Sequence, residues 1–141
     1  MTSSDRDMGS ATLELTILAP ALLTLLGLVI LAGRIETSSA AIEQAAAVAA
    51  REASLARSPA MAQSAASLAA KDSLASQGIT CGALSVTLDS SGFSTSPGAA
   101  AVVRVTVACA VPLSDLAVPG LPGTHMVRAS MISALDTYRT R

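Results

Sequence analysis

Aromatic residues are almost missing from this chain of 141 residues, which has one Phe, one Tyr and no Trp. Charged residues are also scarce, at 13% against about a quarter in an ordinary soluble domain. Without aromatic platforms or a cluster of Lys and Arg, the sequence does not favour a nucleic-acid-binding role. Small apolar residues, mainly Ala and Val, dominate the composition, so a core built outside a membrane must be thin.

Residues suited to catalysis or metal binding are equally few. His125 is the single histidine, and it follows a stretch rich in Pro and Gly, which favours a place in a surface loop. Asp89, Asp115 and Asp136 have no evident partner along the sequence, and no Cys or His spacing matches a metal site. The sequence therefore predicts a protein that is not an enzyme and that binds no cofactor or metal.

One stretch stands out from this composition: residues 15–32 carry no charge and are mostly apolar. Eighteen residues at about 1.5 Å each reach roughly 27 Å as a helix, close to the hydrocarbon thickness of a bilayer. Glu14 stands at the N-terminal edge, where a carboxylate costs free energy unless it is paired, protonated or near the interface. The pattern predicts a transmembrane helix over residues 10–33, preceded by a short polar leader, residues 1–9.

Residues 34–77 predict more helix, because Ala is the best helix former and turn residues are rare there. Ser58 can cap, and Pro59 can open, a second segment that Gly78 is expected to end. Two apolar faces are predicted at helical spacing: Ile35, Ile42, Ala45, Ala49, Ala53 and Ala56, then Met61, Ala65, Leu68 and Ala75. We expect one long rod, a membrane helix that can kink at Pro20 and continues into an Ala-rich stalk with a break near Pro59; a low-complexity linker is the alternative.

Residues 78–141 change to the pattern of a small antiparallel sheet. Apolar residues alternate with polar ones around Val86, around Val105 and from Met126 to Ala134, which predicts three strands and an α+β fold overall. The first two strands form a hairpin with a long loop over residues 90–98, and an irregular loop over residues 112–123 leads to the third.

The predicted hairpin brings its two cysteines to one end. Pairing Val86 with Val105 and Leu88 with Val103 places Cys109 opposite Gly82, one residue from Cys81, so a small irregularity there would allow a disulfide. Two cysteines in a small exported domain favour that bond, and two buried free thiols are the alternative.

The residues around Glu14 resemble a known pattern. Met8 to Leu15 (MGSATLEL) place a glycine five residues before a glutamate, at the start of an apolar helix. This is similar to the prepilin-peptidase site of TadE-like minor pilins or pseudopilins of the tight-adherence (Flp) pilus system. The segments CAVPLSDL (residues 109–116) and ALDTYR (residues 134–139) resemble actinobacterial members. Two departures are a leader with Arg6 as its one basic residue and Leu15 where many relatives have Tyr.

The resemblance implies a structural or assembly component of a Tad (Flp, type IVc) pilus. A prepilin peptidase would cut between Gly9 and Ser10, and Glu14 would position the cut and pair with the new Ser10 amine of a neighbouring subunit. The implied partners are that peptidase, other pilins or pseudopilins, and the pilus assembly platform. The N-terminus is expected in the cytoplasm and the C-terminal domain outside, in a single-pass membrane protein that can enter the pilus.

Two other interpretations stay open. The chain could be a single-pass envelope protein whose helix is only an anchor and is never cut. It could also be an exported binding module released by signal peptidase, with a mature start near residue 40. The Gly9–Glu14 spacing favours the pilin-like interpretation over both, because an anchor alone needs no carboxylate at the edge of its helix.

Overall fold

The computed structural model describes residues 4–96, 98–112 and 123–135, with residues 4–13 described for their backbone alone. Two helices are followed by three strands, with a short 3-10 turn after the first strand, so the predicted α+β class is confirmed. The elements are α1 (Ser4–Leu55), α2 (Pro59–Ser76), β1 (Ala83–Asp89), the 3-10 turn (Ser91–Ser94), β2 (Val102–Pro112) and β3 (Thr124–Ala134).

The second helix begins and ends at the residues that the sequence indicates. The Met61 N–H donates to the Ser58 hydroxyl at 3.3 Å, and Pro59 occupies the first turn, where its missing N–H costs nothing. At the other end Gly78 has φ +69°, and the Ile79 N–H donates to the Leu74 carbonyl at 3.0 Å. That left-handed conformation suits glycine and closes the helix.

The prediction of one long rod is wrong beyond Leu55. The chain turns at residues 56–58, and α2 packs back against α1 instead of prolonging it. The predicted α2 face is also wrong, since Met61 and Leu68 are 57% and 62% exposed. The buried face is Ala62, Ala66, Ala70 and Leu74. Alanine every fourth residue lets two helix backbones approach closely, and the larger side chains are turned outward.

The predicted α1 face is confirmed and is wider than expected. Ile42, Ala45, Ala49 and Ala53 are fully buried, while Ile35 and Ala56 are partly buried against the same core. Ala46 and Ala50 join them, because α1 contacts both α2 and the sheet and needs two adjacent apolar rows.

The three strands form one antiparallel sheet in the order β1-β2-β3. The predicted register of the hairpin is wrong by two residues: Val86 pairs with Val107, Leu88 with Val105, and Cys109 lies opposite Leu84. A shift of two keeps every side chain on its face, so the alternation could not distinguish the registers, and a long loop does not fix one. Val127, Ala129 and Met131 of β3 share the face that packs on the core, as predicted.

The disulfide between Cys81 and Cys109 is present despite the corrected register. The chain bends at Gly82, whose N–H donates to the Ala110 carbonyl at 2.8 Å. This bend leaves the Cα atoms of Cys81 and Cys109 5.4 Å apart, within the usual range for a disulfide. The chain therefore leaves the hydrogen-bonded pairing of β1 with β2 at Gly82, the residue at which the irregularity is predicted.

The core lies between the helices and one face of the sheet. Val103, Val105 and Val107 of β2 are fully buried there. The loop before β2 also contributes, because its 3-10 turn places Phe93 in the core. A Cβ at Gly92 would lie 2.1 Å from the Val102 carbonyl oxygen, so this close turn requires glycine. The predicted loop residues 113–122 and the polar C-terminus from Asp136 to Arg141 lie outside the described residues.

Candidate functional site

The N-terminal part of α1 is an apolar helix that the rest of the chain does not cover. Leu15, Ile17 and Leu23 are 66%, 72% and 69% exposed, and the most apolar 18-residue window of the helix is entirely unburied. Leaving large aliphatic side chains in water costs about 1.5–3 kcal/mol each relative to burial. By length and composition, the helix from Glu14 onward is able to span a membrane.

A proline, at which the sequence predicts a kink, does not end this helix. Pro20 lies inside α1 and lacks the N–H of an ordinary helical residue. The Thr24 hydroxyl donates to the Pro20 carbonyl one turn back, and the Thr37 hydroxyl donates likewise to the Gly33 carbonyl at 2.8 Å. Such bonds satisfy hydroxyl groups without a second helix, which suits an apolar surrounding.

The residues predicted for processing and assembly lie at the start of the same helix. Gly9 and Ser10 belong to the backbone of α1, and Glu14 follows one turn later with an exposed side chain. The five-residue spacing from Gly9 to Glu14 therefore corresponds to about 7.5 Å along the axis of one continuous helix. Cutting between Gly9 and Ser10 would leave Glu14 on the first turns of the shortened helix. The role of Gly9 and Ser10 in cutting and the pairing of Glu14 both stay predictions.

Outside this helix, the described residues offer no chemical site. An open groove runs between α1 and α2, and its lining includes Glu52 and Asp72 beside Val48 and Leu68. Among the described residues no three His, Cys, Asp or Glu side chains are grouped as a metal site would need. His125, predicted in a loop, is an exposed residue of β3 instead.

Asp89 has partners that the sequence did not reveal. The Ser91 N–H donates to its Oδ1 atom at 3.0 Å, and Arg104 lies opposite it across the sheet. The Ser91 hydrogen bonds, helped by the Arg104 charge, hold the pKa of Asp89 below its usual value. These contacts close the turn after β1 and supply no reacting group. Asp115 and Asp136 lie outside the described residues.

The fold and the exposed helix define a class: a small α+β domain carried on one N-terminal helix that is long and apolar enough to cross a membrane. The comparison with known families gives a more particular result. Residues 9–51 match the family model described as TadE-like protein, so this segment of the chain is TadE-like. No curated protein and no solved structure matches the chain. The matched segment begins at Gly9 and covers the apolar helix together with most of the buried part of α1.

Proposed function

We propose that this protein is a structural or assembly component of a Tad (Flp, type IVc) pilus, held in the cell membrane by the apolar half of α1. The observation that carries the proposal is the TadE-like match over residues 9–51, which coincides with the unburied helix. The family is pilus-associated and structural rather than catalytic, and it implies contact with other pilus components and a membrane location.

In the proposed pathway a prepilin peptidase cuts the chain between Gly9 and Ser10. The N-terminus faces the cytoplasm and the domain lies outside. The protein then enters the pilus as a minor subunit, or assists its assembly, in contact with other pilins and the assembly platform. Because the cut would remove Asp5, Arg6 and Asp7, the net charge would rise from −1 to 0, which suits burial in an assembly.

Glu14 has a defined part in this proposal. Its carboxylate costs on the order of 1–3 kcal/mol at the edge of the membrane, depending on depth. Pairing with the new Ser10 amine of a neighbouring subunit would offset that cost. The benefit exists only after cutting and only between subunits, so it would favour assembly of processed molecules.

The structure disfavours release of a soluble module near residue 40. Ser38, Ala41 and Ile42 are buried in the core, and α1 runs without a break from the apolar half into this region. A cut near residue 40 would fall inside a packed helix. The uncut membrane anchor therefore remains the alternative to test.

Two substitutions separate processing from assembly. Gly9→Ala should leave the uncut precursor in the membrane, whereas Gly27→Ala should be cut normally, because a Cβ at Gly27 meets nothing within 4 Å. Glu14→Gln should still insert and be cut at least in part, yet fail to co-purify with other pilus components. Glu36→Gln, the same change beyond the apolar run, should co-purify as the wild type does.

The measurements are N-terminal sequencing, blot mobility and co-purification. A mature N-terminus at Ser10 would support the proposal, and one at Met1 or Thr2 would favour the uncut anchor. Normal processing of Gly9→Ala would contradict the peptidase site. Normal co-purification of Glu14→Gln would remove the pairing role alone.

A further inference from the structure

The folded domain begins where the uncharged run ends, with no spacer between them. Leu31 belongs to the uncharged run of residues 15–32, yet it is partly buried against the domain core. One turn later Ile35 packs against the same core, and Ser38 is buried. If the apolar half of α1 spans the bilayer, the parts of the domain that lie beside Leu31 and Ile35 must be at the membrane surface.

The direction of β3 shows which residues lie at that level. The Ser133 hydroxyl, near the end of β3, donates to the Ser54 hydroxyl near the end of α1 at 3.0 Å. Because β3 packs along α1, its start lies towards the membrane. Nine strand residues at about 3.3 Å give roughly 30 Å, the rise of about twenty helical residues. Counting back from Ser54 therefore places Thr124 near the level of Arg34.

The other strands bring their ends to the same level. Pro112, the last residue of β2, pairs with Thr124, and Val111 pairs with His125. Ala83, the first residue of β1, pairs with Ala110, and the Cys81–Cys109 disulfide lies beside it. We call this the lower end of the domain, formed by residues 81–83, 109–112 and 124–125. The upper end holds the turn at residues 56–58 and the 3-10 turn (Ser91–Ser94).

The strand ends at the two levels differ in charge. The strand ends that form the lower end, residues 81–83, 109–112 and 124–125, contain no Asp, Glu, Lys or Arg. The nearest charged residues along the chain are Arg34 and Glu36 on α1, Asp115 three residues after β2, and Arg128 within β3. At the upper end the chain has Arg57 beside the helix turn, and Asp89 opposite Arg104 at the end of β1. Bringing charged groups against lipid costs free energy, whereas uncharged strand ends meet the interface at low cost.

We infer that the lower end of the domain rests on the lipid surface, so that the bilayer contacts the disulfide-bearing strand ends as well as α1. The lower end contacts the headgroup layer of the membrane that α1 spans. This inference rests on the membrane location given in the proposed function. The upper end then faces away from the membrane, roughly 30 Å above the headgroups. The lower end restrains the tilt of the domain because it touches the bilayer beside the helix.

The chain has no Trp, so single tryptophans report depth without background. The full chain is reconstituted in phosphatidylcholine vesicles in which some lipids are brominated near the headgroup end of the acyl chain and others near its methyl end. Three variants are compared: Leu22→Trp within the apolar helix, His125→Trp at the lower end and Ser94→Trp at the upper end. All three residues are exposed. Thiol labelling without reductant checks that each variant keeps the disulfide.

The expected result is strong loss of fluorescence for Leu22→Trp and His125→Trp and none for Ser94→Trp. Thr124→Trp, at the same level but on the other face of the sheet, should be quenched as His125→Trp is. If Leu22→Trp is quenched while both lower-end variants behave like Ser94→Trp, the inference is overturned and the membrane span stands. If Leu22→Trp is not quenched, the span itself is wrong, and with it the proposed membrane location.

Discussion

The two halves of α1 are one continuous helix in two different surroundings. Residues 15–30 present Leu, Ile and Val on every side, and these side chains stand exposed in the isolated chain. Residues 38–54 bury a strip made mainly of Ala, while Glu43, Gln44 and Glu52 stay exposed on the opposite side. A helix that is apolar all round suits lipid, whereas a helix with one apolar strip suits a protein core.

The contrast also shows why residue size differs between the halves. Large aliphatic side chains gain most from transfer into hydrocarbon, which has no fixed shape to fill. In the second half of α1, residues 38–54, the helix must instead pack against α2 and the sheet at once, and alanine permits that close approach. Two tests follow directly: a charge should harm the first half, and added volume should harm the second.

The largest expected effect is that of a charge in the apolar half. Leu23→Lys places an ammonium group near the centre of the span, which should cost about 3 kcal/mol of membrane insertion. Because Leu23 is 69% exposed and outside the core, the thermal unfolding of the domain in detergent should not change. The measurements are the membrane-inserted fraction after alkaline extraction and the midpoint of thermal unfolding.

Val48→Lys is the matched control in the second half. Val48 is 38% exposed at the groove between the helices, where lysine can reach water. Insertion of this variant should equal that of the wild type. Equal insertion of Leu23→Lys and Val48→Lys would show that the two halves of α1 do not differ in surroundings.

The next effect is that of added volume in the alanine strip. Ala49 is fully buried, so Ala49→Leu forces three more heavy atoms into a packed core and should lower the free energy of unfolding by about 1–3 kcal/mol. Ala47→Leu, two residues away on the exposed side, should change it by less than about 0.5 kcal/mol. Urea unfolding in detergent micelles, followed by circular dichroism, compares the variants. Similar midpoints would mean that the strip is not tightly packed.

Local patterns predicted much of this fold because each depends on neighbours in sequence. The uncharged run fixed the extent of the apolar helix, Ser58, Pro59 and Gly78 marked the ends of α2, and alternation identified all three strands. The long-range features were not predictable in this way. Alternation has a period of two, so a register shifted by two residues looked equally good, and the partnership of Asp89 with Arg104 depends on that register.

The fold-back of α2 and its buried face required knowledge of packing. Met61 and Leu68 are the larger apolar residues, and burial of area alone would favour them over Ala62 and Ala66. Close approach of two helices reverses that preference. The candidate site differs in kind: the proposed pairing of Glu14 with a Ser10 amine lies between two subunits, so the structure of one chain does not contain it.

The smallest expected effect is a pH dependence confined to the domain, where Asp89 lies. Its folded pKa is lowered by the Ser91 N–H, which donates to the carboxylate, and further by Arg104. A lowered folded pKa means that the ionised form stabilises the fold above the unfolded pKa, about 3.9, and that this contribution is lost as the pH falls through the folded pKa. The unfolding midpoint of the wild type should therefore decrease below about pH 4.

Asp89→Asn keeps the shape of the side chain and removes the titration. The variant should start from a slightly lower midpoint at neutral pH and lose less of it on acidification than the wild type does. Arg104→Gln removes the smaller cause only, so its pH dependence should fall between the two. Because Asp89 is fully solvent-exposed, the difference in pH dependence between the wild type and Asp89→Asn should be small. Added salt should reduce only the contribution of the Arg104 charge to this difference. Identical pH profiles for the wild type and Asp89→Asn would show that the hydrogen bond to Ser91 contributes nothing to folding.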